Sequence, residues 1–227
     1  QRIAAEIWIK RDDQTGLALG GNKTRKLELL LGDALALGAD TLITTGAVQS
    51  NHCRQTAALA ARFGLNCILV LSGETPQRAS GNFLLDELFG AEIVWTTREA
   101  REQTLQQTFE RAQQAGRRPA LIPVGASTPT GTLGYAFAFD ELLEQNVQPD
   151  WIVVASSSAG TQAGLALGAK RAGWPGKVLG ISIDHPVEEL QQSVTALANA
   201  AAGKLGWPVS IDPAEICVNA DYLGGGY

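Results

Sequence analysis

Short apolar runs alternate with longer stretches of mixed polarity along nearly the whole chain. Thr41-Leu42-Ile43-Thr44-Thr45, Cys67-Ile68-Leu69-Val70-Leu71, Ile93-Val94-Trp95, Ala120-Leu121-Ile122-Pro123-Val124, Trp151-Ile152-Val153-Val154-Ala155 and Val178-Leu179-Gly180-Ile181-Ser182-Ile183 predict strands. Glu6-Ile7-Trp8-Ile9-Lys10 predicts one more ahead of them. The segments between predict helices: a leucine-rich run after residue 26, then 51–63, 82–89, 99–115, 133–145, 160–172 and 186–203. A Gly/Ser/Thr/Pro loop over 125–131 marks a boundary or crossover. Strands and helices alternating in this way predict stacked βαβ units, an α/β fold with parallel sheets. Ligands of such sheets sit where a strand ends and the next helix begins. The chemistry is therefore to be sought in the strand-to-helix turns and at helix starts.

Three such segments carry it. Gly20-Gly21-Asn22-Lys23-Thr24-Arg25-Lys26 runs into Leu27-Glu28-Leu29-Leu30-Leu31. Two glycines supply a tight turn and the leucines a buried helix, so Lys23 stands at a helix N-terminus. The helix dipole and the cationic neighbours Arg25 and Lys26 disfavour its ammonium form. A neutral lysine amine is the nucleophile that Schiff-base chemistry needs. The same residues also fit an exposed cationic first turn holding a small anion.

The second segment is Ser156-Ser157-Ser158-Ala159-Gly160-Thr161-Gln162-Ala163-Gly164. Its hydroxyls, glycine and helix-start amides form an anion cradle. It lacks the P-loop lysine, the GxGxxG spacing and the first glycine of a nucleophile elbow, so a monophosphate dianion suits it. A serine-rich cap without ligand is the alternative. The third, Gly46-Ala47-Val48-Gln49-Ser50-Asn51-His52-Cys53-Arg54-Gln55, offers neutral donors and acceptors fit for a substrate carboxylate. Ser50 and Asn51 also serve as ordinary caps there, and a lone His52 is more often structural. A reactive lysine, a monophosphate cradle and a carboxylate nest together point to pyridoxal phosphate and an amino-acid substrate.

Composition narrows the class. The 227 residues are 45% hydrophobic and 18% charged with a net charge of −5, an ordinary globular balance with no basic face for nucleic acid or anionic membrane. Cys53, Cys67 and Cys217 have no metal-ligand or disulfide spacing and fit reduced thiols in a cytoplasmic protein. No apolar run reaches the length of a membrane span. Methionine is absent even at position 1, which implies that this is not an intact translation product.

The motifs Gly-Gly-Asn-Lys-Thr-Arg-Lys-Leu-Glu, Gly-Ala-Val-Gln-Ser-Asn-His-Cys-Arg-Gln-Thr-Ala and Ser-Ser-Ala-Gly-Thr-Gln-Ala-Gly resemble those of the D-cysteine desulfhydrase / 1-aminocyclopropane-1-carboxylate deaminase family. These are fold type II, tryptophan synthase β-like pyridoxal phosphate enzymes, and the resemblance covers essentially the whole chain. It implies two three-layer α/β domains with mostly parallel twisted sheets and the cofactor in the cleft between them. The small domain would span 25–132, inserted into a large one made of 1–24 and 133–227; a homodimer is also implied. Lys23 would form the Schiff base, Asn51 would bond the ring hydroxyl, and Ser157, Ser158, Ala159, Gly160 and Thr161 would hold the phosphate. Gln49, Ser50, Asn51 and His52 would line the substrate site, with Ser50 and Tyr227 joining Lys23 in catalysis. Tyr227 resembles the start of the family's Gly-Tyr-Gly segment. The family continues for roughly a third of its length past this point.

The activity implied is β-elimination of D-cysteine to pyruvate, hydrogen sulfide and ammonia. His52 leans towards this reaction, whereas Gln162 matches the deaminase pattern that yields 2-oxobutyrate. Elimination from L-cysteate or chloroalanine, and a non-catalytic phosphate-ligand binder, are the other readings.

Overall fold

The computed structural model describes residues 5–223. It contains two parallel sheets. The first has strand order β3-β2-β1-β4, from β1 (Thr41–Ala47), β2 (Asn66–Ser72), β3 (Glu92–Thr96) and β4 (Pro119–Leu121). The second has order β5-β6-β7, from β5 (Trp151–Ser156), β6 (Lys177–Ser182) and β7 (Cys217–Asn219). The helices are α1 (Asn22–Ala36), α2 (Asn51–Arg62), α3 (Gly81–Leu88), α4 (Arg101–Gln114), α5 (Pro129–Glu144), α6 (Gly160–Arg171) and α7 (Val187–Lys204). The α/β class with parallel sheets stands as expected.

The first sheet is covered on both faces, which is why its central strands are almost wholly apolar. Leu27 and Leu31 of α1 and Ala57 of α2 pack with Leu42, Leu69 and Leu71 on one side. Leu105 and Ala112 of α4 meet Ile43, Ile68 and Val70 on the other. Helices α6 and α7 form a second core, with Leu167, Leu190, Val194 and Ala198. In that half, alternate positions of β5 are open: Trp151 and Val153 are exposed.

What brings the helix starts together is close packing at glycine. A Cβ on Gly134 of α5 would lie 2.2 Å from the Arg25 carbonyl oxygen, and one on Gly164 of α6 would lie 2.3 Å from that of Thr132. Only glycine permits α1, α5 and α6 to approach so closely. The N-termini of α1 and α6 thereby share one region.

Three elements depart from expectation. Glu6-Ile7-Trp8-Ile9-Lys10 is irregular, with Ile7, Trp8 and Ile9 exposed; no described strand offers it a ladder, and apolar sequence alone does not make a strand. Helix α5 starts at Pro129 rather than 133, because the Thr128 hydroxyl caps it by accepting from the Gly131 amide at 3.0 Å and proline suits the first turn. Strand β7 was not foreseen; three residues give no periodic signal. Among the described residues no helix is long and apolar enough to cross a membrane.

Candidate active site

Lys23 occupies the first turn of α1, after a loop in which Gly16, Ala18, Leu19, Gly20 and Gly21 all have positive φ. A Cβ on Gly20 would lie 2.2 Å from the Asp13 carbonyl oxygen, so only glycine fits there. The loop is braced by Arg54, whose guanidinium donates to the carbonyls of Ala18 and Gly20 and to Asn82 Oδ1. The Lys23 amine is half-buried, and burial lowers its pKa. This corrects the expected cause. Arg25 does not press on Lys23, because its guanidinium is held by Asp12 at 3.0 Å and Glu141 at 2.7 Å. Desolvation does what charge repulsion was expected to do.

The lysine and the hydroxyl-rich turn meet. Lys23 Nζ donates to Asn22 Oδ1 at 3.2 Å, and Asn22 Nδ2 donates to Thr161 Oγ1 at 3.0 Å. A single carboxamide therefore spans from the amine to the first turn of α6, which places both within reach of one pyridine-sized molecule. In that turn Ala159 has φ 62°, and the amides of Ser158, Ala159, Thr161 and Gln162 find no acceptor among the described residues. A non-glycine residue held in this region stores strain that surrounding structure must impose. The result is a nest of unused donors at a helix N-terminus.

Lys26, one turn after Lys23, is 1% exposed and has no carboxylate partner among the described residues. Its amine donates to Ser127 Oγ at 3.1 Å, and Ser127 Oγ lies 2.8 Å from Ser158 Oγ. Burial and then the charge of Lys23 depress its pKa well below the usual lysine value. A Cβ on Gly160 would fall 2.7 Å from Ser127 Oγ and 2.8 Å from Lys26 Nζ. Glycine thus keeps open a space bounded by a buried amine and two hydroxyls.

Across from it, Ser50 caps α2 by accepting from the Cys53 amide at 3.2 Å, while the amides of Asn51 and His52 are unused. Asn51 Oδ1 accepts from Asn82 Nδ2 at 3.0 Å and from Arg54 Nη2 at 3.4 Å, so its amide nitrogen keeps both protons.

Several candidate residues lie elsewhere than expected. The Gln49 carboxamide is engaged with α3, accepting from the Asn82 amide at 2.9 Å and donating to the Ser80 carbonyl at 3.1 Å. The Ser157 hydroxyl donates to Asp184 at 2.6 Å and is not free for a phosphate. Only the backbone of His52 faces the turn, and its ring is buried against Thr44. Gln162, taken as a mark of the deaminase pattern, packs over Gly180 and donates to the Cys217 carbonyl at 2.8 Å, away from the turn. Tyr227 lies outside the described residues.

Asn22, Lys26, Arg54, Asn82 and Ser127 were missed. Lys26 was legible, since three residues along a helix return to the same face. Arg54, Asn82 and Ser127 act through partners 28 to 101 residues distant, which no local spacing announces.

Comparison with known proteins shows the family. The family model for pyridoxal-phosphate dependent enzymes matches residues 1–222, and the chain belongs to that family. D-cysteine desulfhydrase of Salmonella paratyphi A is 44% identical over 234 residues, which cover 98% of this chain and 70% of that protein. A solved structure of an ACC deaminase homologue is 42% identical with a TM-score of 0.84, covering 92% of this chain and 65% of the other. The solved threonine deaminase of Solanum lycopersicum, isoform 2 in its processed form, shares the fold at 16% identity and a TM-score of 0.61, over 95% of this chain and 51% of that one. The cofactor of the family is pyridoxal phosphate. The residues fit it: the Lys26 amine and the Gly160 space answer a phosphate, and the half-buried Lys23 amine, its pKa lowered, answers an aldehyde.

Proposed function

We propose that the chain forms the cofactor-bearing part of a lyase that eliminates sulfide from D-cysteine, which with one water gives pyruvate, hydrogen sulfide and ammonia. The observation that carries this is the bridge from Lys23 through Asn22 to Thr161. When bound, pyridoxal phosphate supplies the aldehyde that captures the amino acid and the ring that accepts the electron pair left at the α-carbon.

The chain's own residues do the rest. The amine of Lys23, whose pKa burial lowers, takes the α-proton as general base. The Ser50 hydroxyl and the amides of Asn51 and His52 hold the substrate carboxylate at the start of α2. Asn51 Nδ2, with both protons free, would donate to the ring oxygen of the cofactor. The amides of Ser158, Ala159, Thr161 and Gln162, the Ser158 hydroxyl and Lys26 would hold the phosphate, the last as a charge-assisted bond, in the space that Gly160 keeps open. Tyr227 completes the catalytic set by resemblance.

Two separate parallel sheets, one within 41–121 and one within 151–219, support a small domain over 25–132 and a larger one built from both ends. A cytoplasmic homodimer with a small amino-acid substrate, and with neither nucleic acid nor membrane as partner, completes the reading.

The test is direct. The purified protein is expected to show the visible absorbance of bound cofactor and to lose it in Lys23→Ala, with activity reduced at least about a thousandfold. Supplied in parallel with D-cysteine and 1-aminocyclopropane-1-carboxylate, it is expected to release sulfide and pyruvate from the first. Release of 2-oxobutyrate from the second without sulfide from the first would overturn the substrate. A colourless protein indifferent to added cofactor would overturn the chemistry.

A further inference from the structure

The hydrogen bonds around the start of α2 admit only one arrangement of donors and acceptors. The Arg54 guanidinium has no acceptor to offer, so it can only donate. Its Nε lies 3.2 Å from the Asn82 carboxamide, and the atom it meets there must be Oδ1. The other end of that carboxamide lies 2.7 Å from the backbone carbonyl of Gln49, which can only accept, so that atom must be Nδ2. The two requirements agree and leave the Asn82 side chain a single orientation.

Asn82 Nδ2 then has one proton left, and it lies 3.0 Å from the Asn51 carboxamide. The Asn51 atom there must be an acceptor. Arg54 Nη2, 3.4 Å from the same atom, makes the same requirement. Asn51 is thereby turned with its oxygen towards Asn82 and Arg54 and with both Nδ2 protons free on the other side. Arg54 itself is buried and is held by the carbonyls of Ala18 and Gly20, in the loop before Lys23.

We infer that Arg54 and Asn82 are positioning residues that fix Asn51 as a donor and so set the protonation of the cofactor's ring oxygen. This rests on the assignment of Asn51 as the residue that meets that oxygen. An oxygen that faces only N–H donors is favoured as the anion. With the carboxamide reversed, the oxygen would have to keep its proton in order to donate to Asn51 Oδ1. The direction of the relay begins at Arg54, the one member that cannot accept.

Asn82→Asp tests that direction, because it keeps the shape of the side chain and removes its donor. The new carboxylate still accepts from Arg54 and draws Asn51 Nδ2 towards itself, which leaves Asn51 Oδ1 facing the cofactor. Asn82→Ala removes the relay without reversing it. The readout is the absorbance of the bound cofactor at fixed pH: the visible band reports the unprotonated ring oxygen and the near-ultraviolet band the protonated one. The ratio of visible to near-ultraviolet absorbance is expected to fall about thirtyfold in Asn82→Asp, the range of a hydrogen bond to a charged group, and only about threefold in Asn82→Ala. A residue that merely shapes the fold would be hurt at least as much by the truncation to alanine. An unmoved ratio in Asn82→Asp, or a fall in Asn82→Ala as large as that in Asn82→Asp, would overturn the inference.

A second measurement needs no variant to fold. Neutron diffraction from the unaltered protein in heavy water separates a carboxamide oxygen from a deuterated nitrogen. Deuterons are expected on Asn82 towards Gln49 and Asn51, and on Asn51 on the side away from Asn82. An Asn51 nitrogen turned towards Asn82 would sink the idea. Asn51→Ala run alongside keeps the two readings apart. A ratio unmoved in that variant removes Asn51 from the cofactor, whereas a ratio that falls there beside an unaffected Asn82→Asp rejects only the relay.

Discussion

Around the start of α2, polar side chains are spent on one another: Gln49 and Asn51 bond Asn82, and Arg54 ties Asn51 and Asn82 to the loop before Lys23. Around the start of α6 the opposite holds. Four successive or near-successive amides are unused, Ala159 is held at positive φ, and Lys26 is buried with hydroxyls for company and no anion. The first region is complete without ligand apart from two helix-start amides and the Nδ1 of His52. The second is unfinished, a surplus of donors that a dianion would satisfy. Rigidity belongs where a small substrate must be oriented, and unmet demand belongs where a cofactor must be retained.

The sharpest way to break that contrast is Lys26→Met, which keeps the length of the side chain and removes the amine. Without cofactor the variant is expected to be at least as stable as the unaltered protein, because burying an amine is costly whether it keeps its charge or gives up its proton. Its affinity for pyridoxal phosphate, by titration of the visible band, is expected to fall about a hundredfold, the upper range for one charge-assisted bond. Unchanged affinity would mean that the α6 turn is finished without Lys26.

This contrast was only half visible beforehand. The helix starts themselves could be read, because glycines, hydroxyls and apolar runs are local signals and set Lys23, Ser50 and 158–161 at the right turns. What could not be read was direction. Ser157 and Ser158 look alike in sequence, yet Asp184 at the end of β6 claims the first while Ser127 meets the second. Gln162 sits inside the most informative loop and turns back to Cys217, on a strand too short to foresee. Likewise the first turn of α1 was taken as three competing cations, although Asp12 and Glu141 remove Arg25 from the contest. The composition of a turn fixes what it can bind; which way each side chain points depends on partners far along the chain.

The second prediction strains the completed region from beneath. Asp86 of α3 has no exposed surface and neither carboxylate oxygen finds a donor. Burial raises its pKa to about 7, against a smaller opposing pull from Arg54. A carboxyl whose folded pKa exceeds its unfolded value adds stability below the unfolded value, and that stability is lost as pH rises towards 7. Asp86→Leu has the same branching without the charge. It is expected to flatten the fall in stability between about pH 4 and pH 7 and to gain ~2 kcal/mol at pH 8 in denaturant titrations. A slope unchanged by the substitution would show that the carboxylate is solvated or paired on unfolding and folding alike.

Ser157→Ala is expected to do least, and for that reason it tests the α6 turn most finely. A hydroxyl donated to Asp184 at 2.6 Å has no second proton for a phosphate, and the carboxylate beside it repels one. Removing the hydroxyl forfeits only an exposed bond to a carboxylate that water can replace. Cofactor affinity should then stay within about twofold, whereas Thr161→Val, which breaks the bridge from Asn22, should cost about fivefold by the same titration. If the two substitutions weaken binding equally, Ser157 leaves Asp184 when the phosphate arrives. The turn would then be rebuilt around its ligand, and the preformed surplus of donors would not be what holds the cofactor.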